Sequence, residues 1–329
     1  MKYDIVTIGG ATEDVSFYTN DGVIVDNKKD LLRQKLIAFE YGAKIKINRT
    51  FSTFGGGAAN TAFCLSRIGL RVAMIGVVGG DERGKRIEEN LKKFNVILWL
   101  QKFISKESGI TFLLIGQKNE HVAFTSRAAN EALKITNKEV NVMKNSEIVY
   151  ITSLSGNWKK VLQGIFSVDN KKVAWNPGQI QLQVGKKVIG KYLKKTEVLI
   201  LNKDEALELV MSENKYKKKN KLFLNNIHNL LTVLKSWGPQ LVVITNGGKG
   251  VDIYNGSEFY HQDGVKINKL IDTTGVGDAF GSTFIAGLIL FKGDINKAMK
   301  LAVKNSGSVL KFQGAQNGLL TKKQLLNKN

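Results

Sequence analysis

Cysteine occurs once in these 329 residues and histidine three times. The lone Cys64 excludes an internal disulfide, and three scattered histidines leave too few ligands for a zinc site. No apolar run approaches the roughly 20 residues that span a bilayer. The opening MKYDIVTIGG reads as a buried strand and not as a signal peptide. These absences predict a cytoplasmic protein without membrane contact. Arginine is scarce too, seven against 42 lysines, within a net charge of +21. Nucleic-acid readers lean on arginine forks and interleaved aromatics. Here the lysines are spread along the chain, densest in SENKYKKKNK (212–221), which reads as a loop insertion. The charge is therefore read as a solvated surface that draws anionic small molecules such as nucleotides, and nucleic acid is not the expected partner.

Apolar patterning supplies a fold class. YDIVTIGG, RVAMIGVVGGD, SEIVYITS, KKVAWNPG, TEVLILNKDE and QLVVITNGGKG are short apolar strands ending in polar or glycine residues, with helical stretches between most of them. That rhythm predicts an α/β fold: a doubly wound, mostly parallel sheet flanked by helices. Ligands gather at the carboxyl ends of such strands. Residues 15–26 and 43–53 are of another kind. AKIKINRTF alternates Ala43, Ile45 and Ile47 with Lys44, Lys46 and Asn48, as a sheet with one wet face would. These strands predict a small β-sheet lid, formed from about 15–53 and 97–126, on a single domain spanning 1–329.

The densest chemistry lies in DTTGVGDAFGSTFIAGLIL, from Asp272 onward. Phe280, Phe284, Ile285 and Leu288 share a helical face, so a helix begins near Asp278. Glycines before it leave backbone N–H groups open at a helix N-terminus, a natural anion site. A carboxylate there repels phosphate unless it has a task, such as taking a proton from an attacking hydroxyl. The plain alternative is a helix cap. Two nucleotide signatures fail. In NGGKGV, Gly250 follows Lys249 where a P-loop needs Ser or Thr, and Val243 stands where its first glycine belongs. After Gly275 and Gly277, the dinucleotide fingerprint needs glycine at 280 and meets Phe280.

Taken together, DTTGVGDAFGSTF, FGGGAANTAFCLSRIGL (54–70), NKDE (202–205) and TNGGKG (245–250) resemble, in order, the motifs of the ribokinase-like carbohydrate and nucleoside kinases, the phosphofructokinase B family. The resemblance implies an ATP- and Mg²⁺-dependent kinase acting on a primary hydroxyl of a sugar or nucleoside: ribose, a ketohexose or a ribonucleoside. It makes Asp278 the general base and the N–H groups of Gly275, Val276 and Gly277 the anion hole. It sets Asn202, Thr245, Gly247, Gly250 and Asn305 along ATP, and gives Glu205 the magnesium through water. Asn202 and Glu205 alone would read as a capping box. On the substrate side it places Asp14, Gly56, Gly57 and Asn60, with Arg127 and Asn130 of SRAANE set against a solvated turn. The glycines also suit a tight strand–helix turn. Asp272, Thr274 and Gly314 match positions that hold a monovalent cation, such as K⁺, in some members. A homodimer through the lid is expected.

The chain departs from ribokinases proper at Gly57, where they carry lysine, and in GGATEDVSFYTNDG, which lacks their Asn-x-Asp. That favours a nucleoside or another sugar. A second function class is a catalytically idle binding protein of the same fold, using its basic surface on nucleic acid.

Overall fold

A computed structural model describes residues 2–27, 35–116 and 121–327. Fifteen strands are present among them: β1 (Tyr3–Ile8), β2 (Thr12–Tyr18), β3 (Val23–Asp26), β4 (Lys35–Ala38), β5 (Arg49–Gly55), β6 (Val72–Gly79), β7 (Ile97–Phe103), β8 (Gly109–Ile115), β9 (His121–Ser126), β10 (Ser146–Ile151), β11 (Lys172–Trp175), β12 (Val198–Asn202), β13 (Leu241–Thr245), β14 (Val251–Tyr254) and β15 (Phe259–Gln262). Nine form one sheet in the order β15-β14-β13-β12-β11-β10-β1-β6-β7. The pairs from β13 to β7 are parallel, and β14 and β15 add an antiparallel edge.

The apolar runs explain the burial. All eight residues of β6 are buried, as a parallel strand covered on both faces requires. Along β1, Ile5 packs into one core with Phe63, Phe284 and Ala302, while Val6 and Ile8 pack into the other with Leu162, Leu182 and Leu230. Helices therefore cover both faces, giving the doubly wound, mostly parallel α/β sheet expected from the apolar runs. The chain winds outward from β1 to β6 and β7 on one side and from β10 to β13 on the other. This switch between β1 and β10 opens a crevice at the strands' carboxyl ends.

A separate four-stranded sheet runs β5-β2-β8-β9, and β3 pairs with β4 in a two-stranded ribbon. Two sequence expectations need correction here. Ile97–Phe103, placed in the lid, is the last strand of the large sheet, paired with β6. Residues 43–48 form no strand, and Ile47 is 41 % exposed. Of the expected lid, 28–34 and 117–120 lie outside the described residues. The lysine-rich stretch is not all loop: it contains the helical turn Asn214–Lys217, and Tyr216 stacks on Phe223 of the next one.

Candidate active site

The helix Val276–Leu290 starts from Gly275, which caps it in a left-handed conformation (φ 74°). A Cβ there would stand 2.3 Å from that of Ala315, so only glycine fits. No side chain caps this helix. Val276 N–H reaches back to the Thr273 carbonyl at 3.4 Å, while no described residue accepts from the N–H of Gly275 or Gly277. Apart from the adjoining backbone of its own helix, no described residue lies within 4 Å of the point where a Gly277 side chain would begin. The result is an open backbone donor site at the positive end of a helix dipole.

Asp278 is the third residue of that helix, so it is not the cap. Its Oδ2 accepts a hydrogen bond from Asn60 Nδ2 at 2.9 Å. Enclosure by protein pushes the carboxyl up to about 6; the Asn60 bond opposes this and the charge of Asp14 adds to it. Such a group is largely ionised at neutral pH yet holds a proton far better than a solvated aspartate, the balance a general base needs.

Asp14 faces the same recess from the middle of β2. Burial raises its carboxyl, against hydrogen bonds from Thr12 and Thr111; the Thr12 hydroxyl donates at 2.8 Å. Gly55, at the end of the neighbouring β5, makes the room: a Cβ there would stand 1.9 Å from Asp14 Oδ2. Gly56 (φ +91°) runs so close to Gly10 that a Cβ would meet its carbonyl oxygen at 2.5 Å. Gly57 packs on Thr152. Here the tight-turn reading of the glycines holds, and the turn delivers Asn60 to Asp278. Asn130, by contrast, is spent on backbone: its Oδ1 accepts from Ala11 N–H at 3.1 Å and its Nδ2 donates to Ala11 O at 2.9 Å. It is buried and not a solvated turn. Arg127 is exposed at the exit of β9.

On the other side of Asp278 lies a cavity of about 560 Å³. Thr245, Gly247 and Gly250, at the carboxyl end of β13, form one wall, and Val276, Gly277 and Phe280 another. Val265, Ile267, Leu270 and Val303 make much of the remainder apolar, suited to a flat heterocycle. Sequence reasoning missed this apolar wall, which no glycine motif flags. Asn202 and Glu205 form the reciprocal capping box, each bond 2.8 Å. Burial pushes Glu205 up to about 7, with the charge of Asp278 contributing. With one carboxylate oxygen bonded to Asn202 N–H and the other left over, Glu205 fits the oxygen-rich, water-completed surroundings of Mg²⁺. Asn305 does not reach the cavity. It is fully buried, donating to Thr283 Oγ1 at 2.7 Å and accepting from Leu320 N–H at 2.8 Å. Its neighbours Ser306 and Gly307 line the cavity instead.

Asp272, Thr274 and Gly314 come together. Asp272 accepts from Thr274 N–H and Oγ1 at 2.9 and 2.7 Å and from Gly314 N–H at 2.8 Å. Both carboxylate oxygens are thus engaged in clipping the 313–317 loop to the anion site. That loop also carries Gln316, which donates to Asn60 Oδ1 at 3.1 Å and escaped sequence reasoning altogether.

A raised carboxylate beside an open helix N-terminus, between a polar recess and a nucleotide-sized cavity, suits a phosphotransferase with an alcohol acceptor. The model of the pfkB family of carbohydrate kinases matches residues 27–322, and the chain belongs to that family. It is 25 % identical over 317 residues to an ATP-dependent 6-phosphofructokinase of Thermoanaerobacterium thermosaccharolyticum, covering 91 % of this chain and 94 % of that one. Identity to a nucleoside kinase of Methanocaldococcus jannaschii is 25 % over 286 residues, 86 % and 87 % of the two chains. Arabidopsis thaliana ribokinase, solved with ribose and ATP, superposes with a TM-score of 0.78 over 99 % of this chain and 98 % of that one at 17 % identity.

Proposed function

We propose that the protein transfers the γ-phosphoryl group of ATP to a primary hydroxyl of a sugar or nucleoside. Asp14 accepts hydrogen bonds from the acceptor's ring hydroxyls, which its two oxygens suit. Asp278 takes the proton of the attacking hydroxyl; the new O–P bond forms as the bond to the β-phosphate oxygen breaks, and ADP leaves. The N–H groups of Gly275 and Gly277 stabilise charge on the phosphoryl group in flight, where most of the catalysis of this reaction resides. Glu205 would hold Mg²⁺ through water, and the ion would neutralise phosphate charge. Asp272, Thr274 and the loop at Gly314 would frame a K⁺ site. The observation that carries the reading is the position of Asp278: bonded to Asn60, facing Asp14, and one residue beyond the open N–H of Gly277.

The working domain is the whole chain, with the four-stranded sheet as its lid. Phe112 (41 %), Val122 (38 %) and Phe124 (55 %) leave the outer face of that sheet apolar and exposed. Such a patch suits burial against a second copy in a homodimer. Among the described residues no helix is long and apolar enough to cross a membrane.

A coupled ADP-release assay over pentoses, hexoses, nucleosides and their monophosphates tests the reading. Arg127, exposed at the exit of β9, would meet a phosphate already on the acceptor, so fructose 6-phosphate and fructose belong in the same panel. Turnover of one class above the ATPase background is the expected result. Flat rates across the panel, with tight binding of polyanions, would instead favour the idle binding protein.

A further inference from the structure

Asn60 lies 5 % exposed, and its amide is bonded at both ends. Its Nδ2 donates to Asp278 at 2.9 Å, and its Oδ1 accepts from Gln316 Nε2 at 3.1 Å. Gln316 Oε1 in turn accepts from Asn90 Nδ2 at 2.8 Å. The three amides form one directed chain, Asn90 to Gln316 to Asn60 to Asp278. An ionised carboxylate only accepts, so the far end dictates the direction: each amide must point its NH₂ toward Asp278. Conversely, the amides behind Asn60 oppose its turning over, because reversal would set its NH₂ against the NH₂ of Gln316.

The backbone around Gln316 is fixed independently. Gly314 N–H is held by Asp272 at 2.8 Å, and Gly314 is packed so closely on Thr53 that a Cβ would meet its Cγ2 at 2.6 Å. Ala315 lies against Gly275 of the anion site, and Gln313 donates to the Tyr18 hydroxyl of the small sheet.

We infer that Gln316, oriented by Asn90, is a positioning residue for the proposed base: it locks the Asn60 amide with its NH₂ toward Asp278 and so keeps that carboxylate ionised and aimed. The inference rests on Asp278 being the base. Asn60 is the neighbour that favours the charged form. Against it stands the charge of Asp14 on β2, while Glu205, in the first turn of the helix Lys203–Met211, and neutral Cys64 and Tyr150 share the same field.

The test is the pH profile of kcat, with ATP and the substrate identified in the panel, for the parent, Gln316→Glu, Gln316→Met, Asn90→Asp and Asn90→Leu, beside melting temperatures. A carboxylate at 316 keeps the contact to Asn90 but cannot donate to Asn60, which must turn over. At 90 it forces Gln316 to turn and, through it, Asn60. Both should move the acid limb upward by about one to two pH units, the worth of a hydrogen bond to a charged group. The alkaline plateau should stay within about threefold of the parent, since above the shifted limb Asp278 is ionised in every variant. Gln316→Met should shift the limb in the same direction by less, and Asn90→Leu less than Asn90→Asp. Equal loss of kcat at every pH would mark a merely structural role and overturn the inference. So would an unmoved limb in both Gln316→Glu and Asn90→Asp. Should Gln316→Glu fail to fold, Asn90→Asp decides alone. Full turnover in Asp278→Asn would instead sink the base assignment itself.

Discussion

Replacing Asp278 by Asn separates chemistry from architecture with one isosteric change. The amide oxygen still accepts from Asn60, whose bond to the parent carboxylate is 2.9 Å. No cap is lost, because Gly275 and not Asp278 caps the helix. The amide cannot take the proton of an attacking hydroxyl, so kcat should fall by roughly 10²- to 10⁴-fold, about 2.7–5.5 kcal/mol of barrier. Stability should move the other way. The carboxyl is raised from 3.8 to about 6 in the folded chain. A group whose folded value exceeds its unfolded one favours the native state fully below the unfolded value, and this contribution is lost as pH rises through the folded value. Above pH 6 the parent therefore carries the cost of a buried charge, at most about 3 kcal/mol, that Asn lacks. Asp278→Asn should melt higher than the parent at pH 8 and converge with it near pH 4. Single-turnover phosphoryl transfer and calorimetry at both pH values read the two effects. Undiminished turnover, or a variant less stable than the parent at pH 8, would refute the reasoning.

Other substitutions probe the two walls separately. Asp14→Ala should weaken acceptor binding roughly 10- to 150-fold, the worth of a charge-assisted hydrogen bond, and leave the KM for ATP unchanged; a change in ATP affinity alone would contradict the placement. Gly55→Ala should raise the acceptor KM similarly by displacing Asp14, and lower stability by about 1–3 kcal/mol through overpacking, which chemical denaturation reports. Gly277→Ala should stabilise the helix by about 0.5–1 kcal/mol, since no neighbour opposes the methyl group. The same methyl group enters the anion site, so kcat should fall on the order of 10²-fold. A stable Gly277→Ala enzyme at full speed would remove that backbone from the catalytic machinery.

The large sheet was legible because buried parallel strands admit little but apolar residues. VAMIGVVG of β6 and VLILN of β12 could hardly be anything else. Edge positions were harder. β7 is half-buried along most of its length because, among the described residues, only β6 pairs with it, so it resembles a lid strand in sequence. The alternation from Ala43 to Asn48 is amphipathic, yet among the described residues no strand pairs with it. Periodicity records a preference for a half-covered ribbon; only a partner edge turns that preference into a strand.

In the site, legibility followed chemical type. Asp278 stood out because an acid after Gly-Val-Gly needs a reason, and the left-handed Gly275 and open Gly277 supply its setting. The amides did not sort themselves in this way. Asn60, Asn130 and Asn305 are all buried asparagines at motif positions. Their partners are, respectively, the carboxylate of Asp278, the backbone of Ala11 and the Thr283–Leu320 corner. An amide donates at one end and accepts at the other, so its residue type leaves open what it serves. Long-range contact decides it: Asn60 meets Asp278 across 218 residues and Gln316 across 256. A carboxylate announces a charge that must be compensated or used, whereas an amide takes its role, and even its direction, from whichever charge the fold brings to its end.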